Sequence, residues 1–286
     1  MAARHNCLPL QPMNTDKYEL VVGLEVHAQL QTKSKLFCTD STAFGAEPNT
    51  QVSPVSLAHP GTLPKMNGKA IELAVKLGLA LHCNIERNNY FARKNYFYPD
   101  LPKGYQVSQH TAPVCKGGYV SIISADTKKD IQLNRIHLEE DAGKSLHDID
   151  PDYTCIDLNR AGIPLLEIVT EPCIHSAADA FSFLTELRKT VRWLAVCDGN
   201  MEEGSMRCDA NISLLEVDEN GRRLQDEFNP KVEIKNLNSF RSVEHALIYE
   251  IARQNEMHDR GEIPTGATRG WDENTGKTFE QRSKEN

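Results

Sequence analysis

Strict alternation of apolar and polar residues runs from Ser205 to Leu214, in the order Ser-Met-Arg-Cys-Asp-Ala-Asn-Ile-Ser-Leu. In an extended strand, successive side chains point to opposite faces, so the apolar set shares one face and the polar set shares the other. The pattern predicts a half-buried strand whose second face carries Arg207, Asp209 and Asn211. Such a strand is typical of an antiparallel sheet that keeps one face open.

Four further segments alternate in a related way and are predicted as strands: residues 18–30, 135–139, 163–171 and 231–235. Their polar positions place acids beside histidine, arginine or lysine. The sets are Glu25 with His27; Arg135 with His137 and Glu139; Glu167 alone; and Lys231 with Glu233 and Lys235. Because Glu167 is flanked by apolar residues, and an unpaired buried carboxylate is costly, it is expected to have a cationic partner.

Three segments with apolar residues at spacings of three and four predict helices. Asn67 is expected to cap the first, Ser176 to open a second that runs through Val196, and Ser242 to begin a third that ends near His258. Strands separated by helices predict an α+β fold, with a mostly antiparallel sheet and the helices packed on one face.

Composition excludes several classes of protein. The net charge of −8 argues against a chain that binds nucleic acid over its whole surface. The eight cysteines form neither a zinc pattern nor a compact disulfide framework, which indicates reduced thiols in a cytoplasmic-type compartment. No apolar run reaches the length of a membrane span, so no membrane association is expected. Residues 1–17 lack the apolar core of a secretory signal and are predicted to be a loosely ordered leader.

The polar faces admit two interpretations. Carboxylates with an occasional imidazole suit Mg²⁺ or Mn²⁺, and interleaved cations suit phosphate oxygens. A solvated sheet face with surface ion pairs is the alternative.

The segment 93–106 also admits two interpretations. Its cations and aromatic residues suit either the docking of a nucleotide or RNA through Lys94 and Lys103, or a loop anchored on the core. The sequence Gly143-Lys-Ser matches the last three residues of a phosphate-binding loop. Such a loop needs a glycine five positions before Gly143, where this chain has Leu138, so a turn is predicted instead.

Eight ordered motifs resemble the GatB subunit of the tRNA-dependent amidotransferase, the GatB/GatE family, from about residue 18 to the end of the chain. The motifs are Val22-Gly-Leu-Glu-Val-His27, Phe44-Gly-Ala-Glu-Pro-Asn49, Arg93-Lys-Asn-Tyr-Phe-Tyr-Pro-Asp100, His137-Leu-Glu-Glu-Asp-Ala-Gly-Lys-Ser145, Asp157-Leu-Asn-Arg160, Met201-Glu-Glu-Gly-Ser205, Arg207-Cys-Asp-Ala-Asn-Ile-Ser213 and Lys235-Asn-Leu-Asn-Ser-Phe240.

The resemblance implies a cradle domain related to the catalytic core of glutamine synthetase. It also implies a reaction in which ATP phosphorylates the side-chain carboxylate of Glu-tRNA(Gln) or Asp-tRNA(Asn). Ammonia from the amidase subunit of the amidotransferase then displaces phosphate to give Gln-tRNA or Asn-tRNA, and a small third subunit clamps the other two. The implied cofactors are ATP and Mg²⁺.

Residue by residue, the resemblance implies three overlapping sets. Metal ligands are expected among Glu25, His27, Glu139, Glu140 and Glu167, with Asp209 and Glu233 as further candidates. Lys94, Arg207, Lys231 and Lys235 are expected to contact phosphates or line the ammonia route, and Lys94, Arg207, Asn211 and Lys235 to bind the nucleotide. Regular alternation places Glu139 on the same strand face as His137 and Glu140 on the opposite face. A β-bulge would reverse this, so both acids stay candidates.

The chain departs from the family pattern in two places. Many members carry a zinc knuckle, but here only Cys38 remains, with Asp40, Ser53 and Ser56 at the other positions, so no zinc is expected. Members also continue beyond the position of Asn286 into helical and tail domains that grip tRNA. Residues 18–286 are therefore expected to be a truncated cradle domain.

Two other functions remain as alternatives: an inactive structural fragment of the same subunit, and an unrelated metallohydrolase. The expected location is a bacterial cytoplasm, with an organelle as the alternative.

Overall fold

The computed structural model describes residues 17–225 and 227–283. The predicted leader at 1–17 therefore lies outside the described residues, apart from Lys17. Three helices lie in the described part of the chain: α1 (Gly68–Ala80), α2 (Ala177–Trp193) and α3 (Phe240–Asp259). Among these residues, no helix combines the length and apolar character that a membrane crossing needs.

Fourteen strands lie in the same described part of the chain. They are β1 (Tyr18–Gln29), β2 (Asn84–Ile85), β3 (Ala92–Asn95), β4 (Tyr105–Ser108), β5 (Cys115–Lys116), β6 (Tyr119–Ser124), β7 (Thr127–Glu140), β8 (Lys144–Leu146), β9 (Cys155–Asp157), β10 (Pro164–Thr170), β11 (Met206–Glu216), β12 (Val232–Leu237), β13 (Ala267–Asp272) and β14 (Lys277–Ser283).

Twelve of these strands form one sheet, whose main path is β14-β13-β12-β11-β1-β10-β7-β4-β3. The pair β12–β13 is parallel, and the other neighbours along this path are antiparallel. β8 and β9 form a separate hairpin. The predicted α+β fold with a mostly antiparallel sheet is confirmed.

The alternating pattern explains which face of the sheet is buried. On β1, Val22, Leu24, Val26 and Ala28 are fully buried in the same core as the apolar set of β11. All three helices contribute buried side chains to that core, among them Leu77, Phe183 and Leu247. The second face of the central strands, which carries the acids and cations, points away from these helices.

The helix starts follow their caps. The side chain of Asn67 accepts a hydrogen bond from the Lys69 amide, and that of Ser176 accepts one from the Asp179 amide, both as predicted. The predicted start of α3 at Ser242 is wrong. Ser239 caps that helix by accepting from the Ser242 amide at 3.0 Å, while the Ser242 hydroxyl is buried and donates to Glu273. Ser239 and Ser242 are both possible caps in the sequence. The contact that engages the Ser242 hydroxyl comes from Glu273, which is too distant in the chain to be recognised from the local sequence.

Two other segments form hairpins. Residues 93–106 contain the hairpin β3–β4, whose connection exposes 89% of Phe97 and 64% of Tyr98, so these rings do not anchor a loop on the core. The C-terminal part of the chain contains the hairpin β13–β14 at the sheet edge. Lys144 begins the short strand β8, whereas a phosphate-binding loop would lead into a helix there.

Candidate functional site

Strand register places four polar side chains in one row across the open face. His137 on β7 pairs with Glu167 on β10, Glu167 pairs with His27 on β1, and His27 pairs with Arg207 on β11. Neighbouring strands lie about 4.8 Å apart, so side chains of one row that share a face meet. A second row lies two residues away along β1 and β11 and places Glu25 beside Asp209.

His27, Glu139 and Glu167 converge at the centre of this face. The His27 Nε2 atom lies 3.5 Å from Glu167 Oε2 and 3.7 Å from Glu139 Oε1. One ligand atom from each of the three residues lies within 4.8 Å of the other two. Six ligands around a magnesium ion at about 2.1 Å stand roughly 3 to 4 Å from one another, so the three atoms fit a shared ion.

The second histidine completes the cluster. The Nε2 atom of His137 lies 3.4 Å from Glu167 Oε2 and 3.8 Å from Glu139 Oε2. Its other ring nitrogen, Nδ1, is buried and has no hydrogen-bond partner among the described residues. A buried imidazole beside two carboxylates is a donor set that suits a metal ion.

The electrostatics of this cluster favour a cation. Burial alone would lower the pKa of His27, but a hydrogen bond to Glu167 and the charges of Glu139 and Glu167 raise it. Burial alone would raise the pKa of Glu167, yet His27, His137 and Arg135 lower it to about 2. Both shifts arise from direct contact between carboxylates and cationic side chains: the acids raise the pKa of His27, and His27, His137 and Arg135 lower the pKa of Glu167.

Cationic side chains border the cluster within a cavity of about 930 Å³. Arg207 reaches it from β11, and Lys235 is held by Asp209 Oδ2 at 2.7 Å and by Glu233 Oε1 at 3.0 Å. Burial alone would lower the pKa of Lys235, but these two carboxylates raise it. Lys94 is exposed and lines the same cavity from β3. The cavity therefore offers acids to a metal ion and fixed cations to phosphate oxygens.

A β-bulge in β12 directs residues into this cavity. Cys208 pairs with Leu237 and Ala210 pairs with Ile234, so two residues of β12 oppose the single residue Asp209 of β11. One of the two, Asn236, has a left-handed backbone with φ of 63°. Bulges re-aim side chains beside active sites, and here Lys235 and Asn236 both line the cavity.

Three of the candidate residues lie outside the 930 Å³ cavity. Asn211 and Lys231 line a smaller adjacent cavity of about 320 Å³, which shares Glu25 with the larger one. Glu140 lines a third cavity of about 510 Å³, where it forms an ion pair with Lys103. β7 does contain a bulge, but it lies near Asn134 and not beside the two acids. Alternation is therefore regular from Arg135 to Glu140, so Glu139 lies on the same face as His27 and Glu140 does not.

Asp141 and Arg135 were not among the predicted site residues. Asp141 Oδ1 accepts from Arg207 at 3.0 Å, and its Oδ2 accepts from Gln29 at 2.7 Å. Burial alone would raise the pKa of Asp141, but the charges of Arg207 and Arg160 lower it. The signal was present in the sequence, since positions 135, 137 and 139 alternate along β7 and Asp141, the residue directly after this strand, continues the same spacing.

The loop with the incomplete zinc knuckle is held by hydrogen bonds. The Ser56 hydroxyl donates to Asp40 Oδ2 at 2.6 Å and accepts from the Ser53 amide at 2.9 Å. Burial alone would raise the pKa of Asp40, but the hydrogen bond from the Ser56 hydroxyl helps to lower it. Polar side chains thus connect the two ends of the loop here. The expectation that the chain binds no zinc stays a prediction.

Comparison with known proteins gives consistent matches over nearly the whole chain. Residues 20–286 match the family model described as the GatB/GatE catalytic domain. Three relatives carry the name aspartyl/glutamyl-tRNA(Asn/Gln) amidotransferase, with the subunit designation B. The one from Thermodesulfovibrio yellowstonii is 56% identical over 94% of this chain and 55% of its own length. Those from Variovorax paradoxus and Salinibacter ruber are 55% and 52% identical, over 94% and 96% of this chain and 55% and 54% of their own lengths. The chain thus spans about half the length of these relatives.

Proposed function

This chain belongs to the GatB/GatE family, and we propose that it activates the side-chain carboxylate of a misacylated tRNA for amidation. The substrates would be Glu-tRNA(Gln), Asp-tRNA(Asn) or both, consistent with the names of its relatives. The observation that carries the proposal is the His27–Glu139–Glu167 cluster, set in one cavity with Arg207 and Lys235.

The proposed reaction has two steps. A carboxylate oxygen of the aminoacyl side chain attacks the γ-phosphorus of ATP, and the bond from that phosphorus to the leaving oxygen of ADP breaks. Ammonia then attacks the carbonyl carbon of the resulting acyl phosphate. The bond between that carbon and the phosphate oxygen breaks, and a proton from ammonia leaves with inorganic phosphate. Activation is necessary because phosphate is a far better leaving group than an oxide.

The residues of the cavity suit positioning and charge stabilisation, which are the main demands of phosphoryl transfer. Arg207 and Lys235 would contact the phosphate oxygens, and the carboxylates that hold them limit their movement. Lys94, exposed at the rim, would meet the incoming triphosphate. Two carboxylates with an imidazole fit Mg²⁺ or Mn²⁺, and His27, Glu139 and Glu167 would hold the ion. The ion would offset negative charge on the phosphoryl group.

The proposal includes partners and a location. An amidase subunit would release ammonia from glutamine, and a small third subunit would join the two, in keeping with the names of the relatives, each of which denotes one subunit of an amidotransferase. We place the chain in a bacterial cytoplasm, since the three relatives are bacterial, with an organelle as the alternative. Fractionation of the source cells, with antibody detection of the chain, tests the location.

The decisive experiment measures ATP consumption that depends on misacylated tRNA. The 286-residue chain is combined with the amidase and small subunits, γ-³²P-ATP, Mg²⁺, glutamine and Glu-tRNA(Gln) or Asp-tRNA(Asn). We expect ADP and phosphate to form only with a misacylated tRNA, and Gln-tRNA or Asn-tRNA to appear by nuclease digestion and chromatography. Intact folding and subunit binding with no turnover on either tRNA would instead favour the structural-fragment alternative. Hydrolysis that needs metal but not ATP would favour a metallohydrolase.

A further inference from the structure

We propose that Arg160 is a positioning residue for phosphate binding, which acts through Asp141 to hold the guanidinium of Arg207 in the large cavity. The inference rests on the proposed function, in which Arg207 contacts phosphate oxygens. Arg160 does not line that cavity, so it acts without touching the nucleotide. The buried carboxylate of Asp141 connects the two arginines, since its Oδ1 accepts from Arg207 at 3.0 Å and lies 3.8 Å from Arg160 Nε.

Arg160 holds the short segment that follows β7. Its Nε donates to the Ala142 carbonyl at 2.9 Å, and its Nη2 donates to the Gly143 carbonyl at 2.6 Å. The Asp141 side chain is tied to the same segment, because its Oδ1 also accepts from the Ala142 amide at 3.0 Å. A planar guanidinium that binds two acceptors restricts their direction as well as their distance. Arg160 therefore fixes the backbone from which Asp141 reaches Arg207.

Close packing at Gly143 leaves this segment little freedom. A Cβ added to Gly143 would lie 2.9 Å from the carbonyl oxygen of Asp157 and 3.0 Å from that of Asp100. The Gly143 amide also donates to the Asp100 carbonyl at 2.9 Å. The glycine of the Gly143-Lys-Ser sequence thus allows three backbone segments to pack together beside Asp141.

Two asparagines hold the segment that carries Arg160. The side chain of Asn49 accepts from the Leu158 amide at 2.8 Å. That of Asn159 accepts from the Gln51 amide, also at 2.8 Å. Each asparagine also donates from Nδ2 to a backbone carbonyl, at 2.8 Å and 2.7 Å respectively, so both ends of each amide are used. These contacts join two of the sequence motifs, neither of which lines the large cavity.

Lys35 makes a further connection between the same two segments. It is fully buried, and its Nζ donates to the Gln51 carbonyl at 2.8 Å and to the Leu158 carbonyl at 3.3 Å. A buried ammonium is costly unless such acceptors surround it, so these contacts are hard to break. The segment before Arg160 is therefore a rigid support, which a residue needs in order to position another one.

A double-mutant cycle on tripolyphosphate binding tests the inference, by calorimetry on the 286-residue chain in excess Mg²⁺. Arg207→Gln should weaken binding at least about tenfold, the effect of losing one hydrogen bond to a charged group. Arg160→Gln should weaken it at least about fivefold in the unmodified chain, but less than about twofold in the Arg207→Gln background. A role in the fold alone would give equal losses in both backgrounds.

The matched control is Arg188→Gln. Arg188, on α2 and outside the cavity lining, is also partly buried and donates from Nε to a loop carbonyl, that of Gly199 at 2.6 Å. This variant should bind tripolyphosphate like the unmodified chain. Circular dichroism verifies the fold of every variant. If Arg160→Gln does not fold, Asn159→Ala replaces it in the cycle, with an expected loss of at least about threefold that again disappears without Arg207.

The outcomes separate the positioning role from the phosphate contact. Additive losses, unchanged binding in the Arg160 variant, or an equal loss in Arg188→Gln would overturn the positioning role, while a loss in Arg207→Gln would keep the phosphate contact. If the unmodified chain does not bind tripolyphosphate, or if Arg207→Gln binds it as tightly, both the proposed contact and the positioning role are wrong.

Discussion

The guanidinium of Arg207 lies 3.0 Å from Oδ1 of Asp141, and this contact joins the end of β7 to β11 across the cavity. Asp141 is buried, with 4% of its surface exposed, whereas 36% of the Arg207 side chain is accessible. The carboxylate thus lies beneath the cation and orients it towards the cavity. Arg160 Nε lies 3.8 Å from the same oxygen, so one buried acid serves two arginines.

We predict that Asp141→Asn lowers the free energy of unfolding by roughly 2–3 kcal/mol at neutral pH. Removing one partner of a buried ion pair typically costs about 3–5 kcal/mol, and the exposure of Arg207 reduces that figure. Urea denaturation measures the change. The control is Asp148→Asn, an exposed acid on the loop between β8 and β9, which should change stability by less than about 0.5 kcal/mol.

The same pair predicts the sign of a pH effect. The pKa of Asp141 is lowered in the folded protein, so its contribution to stability is fully present above the unfolded value of about 3.9. That contribution is lost as the pH falls below about 3.9 and through the folded pKa. The stability gap between the unmodified chain and Asp141→Asn should therefore stay constant from about pH 5 to 8 and shrink below about pH 4. A gap that widens in acid would contradict the ion pair.

The choice between Glu139 and Glu140 can be decided by metal binding. We expect Glu139→Gln and Glu167→Gln to weaken Mn²⁺ binding by more than about tenfold, because even outer-shell partners of a metal contribute roughly 10- to 100-fold. Glu140→Gln is the matched control, since that carboxylate pairs with Lys103 in a separate cavity. Electron paramagnetic resonance of free Mn²⁺ measures all three. An equal loss in Glu140→Gln would sink the assignment of Glu139 alone.

The local features of this fold were readable from the sequence. The alternation at Ser205–Leu214 predicted β11 to within two residues of either end, and it predicted that Arg207, Asp209 and Asn211 share the open face. The caps Asn67 and Ser176 were equally local, since each accepts a hydrogen bond from an amide two or three residues away. Such signals depend on short stretches of chain, in which the competing structures are few.

The long-range features were not readable. The row His137–Glu167–His27–Arg207 needs the strand order β7-β10-β1-β11, in which β1 pairs with strands more than 130 residues away in the chain. Pattern fixes which face a side chain occupies but not which strand lies beside it. The bulge at Asn236 and the burial of Asp141 depend on these neighbours, which is why both escaped prediction.

The two lysines at either end of the predicted trio should differ in function. Lys235 is held in the large cavity by Asp209 and Glu233, while Lys231 is exposed and lines the smaller one. We predict that Lys235→Gln lowers kcat for ATP consumption by roughly 10²–10³-fold, the usual loss for one preorganised charge in a phosphoryl or acyl transfer site. The matched variant Lys231→Gln should lower kcat less than about tenfold, because an exposed charge is screened by water and salt. Steady-state kinetics in the assembled complex separates the two, and similar losses in both would argue against a distinct role for Lys235.

Asn236, in the bulge of β12, has a backbone conformation that allows a test of whether the bulge positions Lys235 in the cavity. Its φ of 63° is readily adopted by asparagine or glycine but is strained for a β-branched residue. We expect Asn236→Val to lower the free energy of unfolding by about 1–3 kcal/mol, and Asn236→Gly to leave it within about 0.5 kcal/mol. Because the bulge also aims Lys235, Asn236→Val should weaken tripolyphosphate binding in Mg²⁺, whereas the glycine variant should preserve it. Equal stability and equal binding in the two variants would mean that β12 relaxes to a regular register without moving Lys235, and that the bulge does not position this lysine.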